Sequence, residues 1–206
     1  MLTREKLITA FRKPLPGFKA QVEMAPFKNP SYREVRPDAK IAAVMAIINW
    51  QDPSPHLILI ERSQGASGDK HGGQISFPGG KSEPDDQSLW DTALRETQEE
   101  IGVEKEQIEL LGPLTSLYIP VSGFLVHPFV GMGNIDHFVP QAEEVANILQ
   151  WPLQSLLSDR AIHIRDIVPR PGVSLKDVPY FDCMGHILWG ATAMMLSELR
   201  TILKDI

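Results

Sequence analysis

Residues 41–48, Ile-Ala-Ala-Val-Met-Ala-Ile-Ile, form the longest apolar run in the chain. This run of eight residues falls far short of the roughly 20 that a membrane-spanning helix needs. It reads as a buried strand. Residues 57–60 read as a second strand after the turn Asp52-Pro53-Ser54-Pro55. Residues 74–77 form a short strand candidate ended by Pro78-Gly79-Gly80. Ser88 with Asp91 has the form of a capping box and predicts a helix that Gly102 ends. Strand-like runs occur at 108–111, 114–119, 124–130 and 162–167, with a short helix at 153–157 after Trp151-Pro152. A last helix is expected over 186–203, where Ile187, Ala191, Met194, Met195 and Leu199 recur at helical spacing. Strands interleaved with helices indicate a layered α/β or α+β domain.

A chain of 206 residues is about 1.4 times a typical domain, so one domain with extensions is expected. Residues 1–35 read as an N-terminal arm. Leu7, Ile8 and Phe11 suit a short amphipathic helix, and Pro14, Pro16, Pro26 and Pro30 break any regular element after it. The main domain then covers 36–206. Hydrophobic residues at 43% and charged residues at 22% exclude wholesale disorder. Cys183 is the single cysteine, so neither an internal disulfide nor a multi-cysteine zinc site can form. The N-terminus lacks the apolar core of a secretory signal, and a cytoplasmic location is expected.

The net charge of −6 is unevenly spread. Residues 1–40 hold nine Lys/Arg and four Asp/Glu, whereas 81–110 hold ten acidic and three basic residues. Nucleic-acid binding needs a basic core and is disfavoured. Within the acidic segment, Arg95-Glu96-Thr97-Gln98-Glu99-Glu100 defines a face. With Glu96 at zero, Glu100 falls near 40° and Glu99 near −60° on an ideal helix. Trp90, Leu94, Thr97 and Ile101 lie on the apolar side. Two ionised carboxylates about 5.5 Å apart repel by roughly 3 kcal/mol at an effective dielectric near 20. A hard divalent cation relieves that repulsion, as a solvated helix face does more weakly. The loop Ser76-Phe77-Pro78-Gly79-Gly80-Lys81 leads into this helix, and its paired glycines suit either close ligand approach or a plain turn.

This loop and helix resemble the signature of the Nudix hydrolases. The helix half reads Arg95-Glu96-Thr97-Gln98-Glu99-Glu100-Ile101-Gly102-Val103, with Thr97 at an apolar position of the signature. Gly80 lies one position further from Arg95 than in the general pattern, and the first acid is Asp86 in place of glutamate. The longer loop is similar to the coenzyme A pyrophosphatase-like branch. Arg62-Ser63 and His71-Gly72-Gly73-Gln74-Ile75-Ser76-Phe77-Pro78-Gly79-Gly80-Lys81 match that branch. So do Thr92-Ala93-Leu94-Arg95-Glu96-Thr97, Ile119-Pro120-Val121-Ser122-Gly123-Phe124 and Trp189-Gly190-Ala191-Thr192. Two departures bear on substrate choice: the stretch between Ser63 and His71 is longer, and Asp69 replaces an arginine, with Lys70 beside it.

The resemblance implies an α/β/α sandwich with a mixed sheet between helices. It implies metal-dependent hydrolysis of the diphosphate in coenzyme A or its derivatives, giving 3′,5′-ADP and a 4′-phosphopantetheine species. Another nucleoside diphosphate derivative, such as ADP-ribose or a dinucleotide, is the alternative substrate, and a silent binding module is a third reading. The implied cofactor is Mg²⁺ or Mn²⁺, held by Glu96, Glu99 and Glu100. Glu99, Glu144 and Arg95 are the implied catalytic residues, with Arg95 orienting a carboxylate. Arg62, His71, Gly79, Gly80 and Lys81 are the implied substrate-binding set. The partner is a small nucleoside diphosphate molecule, with no nucleic acid and no membrane; a homodimer stays open. Ser122 lacks the Gly-x-Ser-x-Gly setting of a nucleophile, and Cys183 reads as a packed thiol.

Overall fold

In the computed structural model, which describes residues 2–27, 34–51, 54–64 and 72–206, the 41–48 run is buried on both faces. The chain starts with two short helices, α1 (Arg4–Ala10) and α2 (Phe18–Gln21). The run itself lies in β1 (Lys40–Asn49) and is followed by β2 (His56–Arg62). Two short strands, β3 (Ile75–Ser76) and β4 (Gly79–Lys81), lead into helix α3 (Leu89–Ile101). Then come β5 (Glu109–Pro113), β6 (Leu117–Ile119), β7 (Phe124–Gly133), β8 (Val145–Pro152) and α4 (Leu153–Leu157). A hairpin of β9 (Ile162–Arg170) and β10 (Val173–Cys183), the short β11 (His186–Trp189) and helix α5 (Gly190–Lys204) complete the chain.

The eight-stranded sheet is mixed. β1 and β7 run parallel along their whole length, from Lys40 opposite Phe124 to Asn49 opposite Gly133, while the other pairings are antiparallel. The second edge of β1 is shared. Residues 47–49 pair with β2, and residues 42–44 pair with β4. This division brings the glycine loop onto the central strand. Alternation then sorts the side chains. Ala43, Met45 and Ile47 of β1, with Ile58 and Ile60 of β2, pack against Ala93, Leu94 and Ile101 of α3. Ala42, Ala46, Ile48, Leu57 and Leu59 face the other way, into the cluster with Met194, Leu196 and Leu199 of α5. The expected sandwich of a mixed sheet between helices is therefore present. No helix among the described residues is long and apolar enough to cross a membrane.

The N-terminal segment is built into the second layer. Leu7 and Met24 are fully buried in the α5 cluster. Glu198 of α5 is also fully buried. Its carboxylate accepts from Gly17 N at 2.9 Å, Gln21 Nε2 at 2.9 Å, Thr115 N at 3.0 Å and Thr115 Oγ1 at 2.7 Å. A buried carboxylate is tolerable when its oxygens are satisfied in this way.

Some expected boundaries change. Residues 186–189, expected in the last helix, form β11, because they pair with β10 from Tyr180–Trp189 to Cys183–His186. The helix starts at Gly190. The strand expected over 114–119 is restricted to Leu117–Ile119, and Thr115 instead serves Glu198. β8 and β10 had no strand assigned in the sequence. β10 bends at Asp177, whose φ is 52°, within a stretch of register shifts against β9. That break obscures its period of two. Positions 52, 53 and 65–71 lie outside the described residues.

Candidate active site

The acidic helix begins and ends where its caps require. Ser88 Oγ accepts from Asp91 N, and Gly102 closes α3 in the left-handed region at φ 69°. Thr97 and Ile101 are buried, and Glu100 is buried with them at 2% exposure. Glu96 lies at the margin, and Glu99 is exposed. The three glutamates thus share one flank but occupy three different environments.

The glycine loop fits beneath that flank. Gly79 N donates to Glu100 Oε2 at 2.8 Å. A Cβ on Gly80 would lie 2.5 Å from the Glu96 carboxyl carbon, so the carboxylate rests directly on this glycine. Gly79 itself takes φ 145°, and a Cβ there would strike Ala43 O and Val44 Cα of β1. Close approach of strand β4 to β1 and of both glutamates to β4 accounts for the glycine pair.

Arg95 organises the remaining carboxylates. Its Nε and Nη2 donate to the two oxygens of Asp86 at 2.9 and 3.2 Å. Its Nη1 donates to Glu96 at 2.9 Å and Glu99 at 3.2 Å, and Nη2 also reaches Lys81 O at 3.1 Å. Asp86 accepts further from Glu83 N and Thr92 Oγ1. Arg95 holds the Asp86 carboxyl far below the usual carboxylate range, and Asp86 in turn raises the guanidinium. The first acid of the signature is thus the anchor that fixes Arg95. An aspartate suffices because the guanidinium comes to it.

Burial raises Glu96 against the pull of Arg95, with the charges of Glu99 and Glu144 acting in the same direction as burial. Burial pushes Glu100 up to about 7, opposed by the Gly79 hydrogen bond and by Arg62, and reinforced by Glu96 and Glu144. Arg62 Nη1 lies 3.7 Å from Glu100 Oε1. Glu144 is exposed, yet its charge acts on both Glu96 and Glu100. Its backbone carbonyl accepts from Ser63 N at 2.8 Å, which seats it beside the end of β2.

The residues named from sequence therefore divide clearly. Glu96, Glu99, Glu100, Arg95, Arg62, Gly79 and Gly80 come together, and Glu144 joins them through its field. Lys81 contributes its carbonyl to Arg95, while the residue is exposed. His71, with Asp69 and Lys70, lies outside the described residues. Cys183 is buried, its thiol pushed up to about 12, in keeping with a packed thiol.

Among the described residues, no group of three or more His, Cys, Asp or Glu side chains is gathered to hold a metal ion. Arg95 occupies oxygens of Glu96 and Glu99, and Gly79 occupies one of Glu100. The donor set nevertheless fits a hard dication chemically: all the donors are carboxylate oxygens. Burial, reinforced by neighbouring carboxylates, already raises Glu96 and Glu100, and a cation would offset both effects.

Comparison with known proteins gives the same assignment. Residues 39–168 match the NUDIX domain family. The chain is 34% identical over 177 residues to an uncharacterized Nudix hydrolase NudL of Pectobacterium atrosepticum, covering 85% of this chain and 88% of the relative. It is 39% identical over 150 residues to the NudL protein of Yersinia pestis, covering 71% and 72%. A MutT/nudix family protein from Enterococcus faecalis has a TM-score of 0.52 at 15% identity, over 98% of this chain and 75% of that one. Nudix hydrolases generally need divalent cations, and the helix with its glycine loop supplies carboxylates suited to them. The chain belongs to the Nudix hydrolase family.

Proposed function

We propose that this Nudix hydrolase cleaves the diphosphate bond of coenzyme A or its derivatives, using Mg²⁺ or Mn²⁺. The products are 3′,5′-ADP and a 4′-phosphopantetheine species. The supporting observation is convergence on one carboxylate. Two separated segments that carry the resemblance to the coenzyme A branch, Arg62-Ser63 and the segment ending Pro78-Gly79-Gly80, meet at Glu100.

Glu96, Glu99 and Glu100 are the cation ligands, and Glu144 is the base or a further ligand. When bound, the cations neutralise phosphate charge and lower the pKa of the attacking water. Arg95 orients Glu96 and Glu99 by charge-assisted hydrogen bonds while Asp86 fixes the guanidinium. Gly79 and Gly80 shape the floor beside the diphosphate, and Arg62, His71 and Lys81 are its binding groups. The water oxygen bonds to one phosphorus as the bridging P–O bond breaks. Glu144 takes the proton of that water, and the departing phosphate carries the electron pair of the broken bond. Such chemistry depends on positioning and charge neutralisation more than on covalent help.

Turnover by purified enzyme with Mg²⁺ or Mn²⁺ is to be ranked across coenzyme A, ADP-ribose and a dinucleotide, with products identified. Release of 3′,5′-ADP at the highest kcat/KM is expected from coenzyme A. No activity on coenzyme A above background rejects the assignment.

A further inference from the structure

On the α3 face of the sheet a serine hydroxyl is buried with no hydrogen-bond partner among the described residues. Ser76 stands opposite Ile60 in the pairing of β3 with β2. Directly opposed residues share a sheet face, and Ile60 packs in the α3 cluster. Ile75 and Phe77, on either side of Ser76, belong to the opposite cluster, as alternation requires. Arg62 lies two residues beyond Ile60 and reaches Glu100 at 3.7 Å. Gly79 lies three residues beyond Ser76 and donates to the same carboxylate at 2.8 Å. In the chain, Ser76 is thus set between the two groups that hold Glu100.

The Ser76 Oγ is buried and has no hydrogen-bond partner among the described residues. The other buried side-chain atoms without one lie elsewhere: His56 at the opposite end of β2, Tyr118 on β6 and Gln21 on α2. An unpaired buried hydroxyl costs free energy, and sites that take a ligand are where such a cost is kept. The Glu100 carboxylate already accepts from Gly79 N and pairs with Arg62.

We propose that the Ser76 hydroxyl donates a hydrogen bond to a phosphate oxygen of the bound diphosphate. This assignment deepens the proposed function and rests on it only for the diphosphate, not for coenzyme A. Ser76 is then a binding residue whose partner arrives with substrate.

The test uses methylenediphosphonate, a non-hydrolysable diphosphate, titrated calorimetrically in excess Mg²⁺ into the full chain, with thermal melts of each free protein. Ser76→Ala is expected to weaken uptake by about tenfold or more, because the lost bond is to a charged acceptor. Its melting temperature should equal or exceed that of wild type, because the orphaned hydroxyl is gone. Ser76→Thr keeps the hydroxyl and should bind more tightly than the alanine variant. Equal affinity in Ser76→Ala and wild type overturns the proposal, as does failure of wild type to take up the probe. A lower melting temperature in Ser76→Ala, with the threonine variant no better in binding, also overturns it. Coenzyme A turnover does not enter these readings, so a different natural substrate leaves the Ser76 assignment intact.

Discussion

The two adjacent glycines separate folding from chemistry, because an added methyl group meets different neighbours at each. At Gly79 the new Cβ would lie 2.4 Å from Ala43 O and 2.5 Å from Val44 Cα. Both atoms are backbone of the central strand, and φ 145° is strained for any side chain. Backbone strain of about 1–3 kcal/mol and overpacking of about 1–3 kcal/mol together give Gly79→Ala a loss of roughly 2–6 kcal/mol. In a domain of this length that lowers Tm by about 4–24 °C. Gly80 lies outside the left-handed region, and its Cβ would meet the Glu96 carboxyl group at 2.5–2.6 Å. Ordinary contact begins near 3.4 Å, so that carboxylate must retreat by almost 1 Å. The end of a flexible side chain can do so at small cost to folding. A displacement of about 1 Å in a catalytic group, however, lowers turnover by about 100-fold. Differential scanning fluorimetry and kcat at saturating Mg²⁺ read the two effects separately. Gly79→Ala should melt early; Gly80→Ala should melt within about 3 °C of wild type yet turn over about 100-fold more slowly. Full activity in Gly80→Ala would show that Glu96 is not where the chemistry is organised.

Three other perturbations test the same geometry. Glu100→Gln keeps an acceptor for Gly79 N but removes the buried charge, so turnover should fall by about 100-fold or more while the fold persists; unchanged kcat counts against the site. In metal-free protein Glu100 titrates near 7, against an ordinary value of 4.5. The folded chain therefore keeps a proton that the unfolded chain releases in that window. Stability should fall as pH rises from about 4.5 to 7, by about 3 kcal/mol from this group alone. Melts in EDTA at pH 5 and pH 8 should show that fall in wild type and a smaller one in Glu100→Gln; equal falls would remove Glu100 as its source. Glu198→Ala removes the acceptor of four hydrogen bonds, two from the N-terminal arm and two from Thr115, and should cost about 3–5 kcal/mol. Limited proteolysis should then cut within residues 1–27 at protease levels that leave wild type intact, and an unaltered digest would contradict the account.

Legibility in the sequence tracked the strength of local periodicity. The 41–48 run and the Ser88-to-Gly102 helix needed no tertiary information, because burial on both faces and the two caps are written into successive residues. The reading of 186–203 as a single helix failed for the opposite reason. Ile187 and Leu188 suit either element, and only pairing with β10 places residues 186–189 in a strand. The carboxylate flank was readable from helical angles, but the environments were not. Glu96 and Glu100 appear equivalent at 3.6 residues per turn, and their difference comes from what β4 and β2 bring beneath them. Glu198 gave no signal at all, since its donors come from positions 17, 21 and 115. Ser76 stood in a recognised segment, but that its hydroxyl lacks a partner is a property of the folded chain.

The charge balance supports the proposal that cations and diphosphate bind together at this site. Asp86, Glu96, Glu99, Glu100 and Glu144 face two guanidinium groups, Arg95 and Arg62. Arg95 is largely committed to Asp86, whose carboxyl it holds ionised. With all five acids charged, the site carries a net −3 before any substrate arrives, and a diphosphate adds more of the same sign. At an effective dielectric near 20, each added like charge about 5.5 Å from another costs roughly 3 kcal/mol. Protonating Glu100, whose carboxyl is pushed up to about 7 mainly by burial with Glu96 and Glu144 adding to the rise, lowers that cost within the protein itself. Protonation, however, would remove a proposed ligand and a source of field in the same stroke. On the proposed reading, dications would settle the conflict differently: bound at Glu96 and Glu100, they would keep both ionised and turn a repulsive pocket into one that attracts phosphate oxygens. On that reading, the helix that looks electrostatically unfavourable in isolation is one half of a binding site whose other half would arrive with the metal.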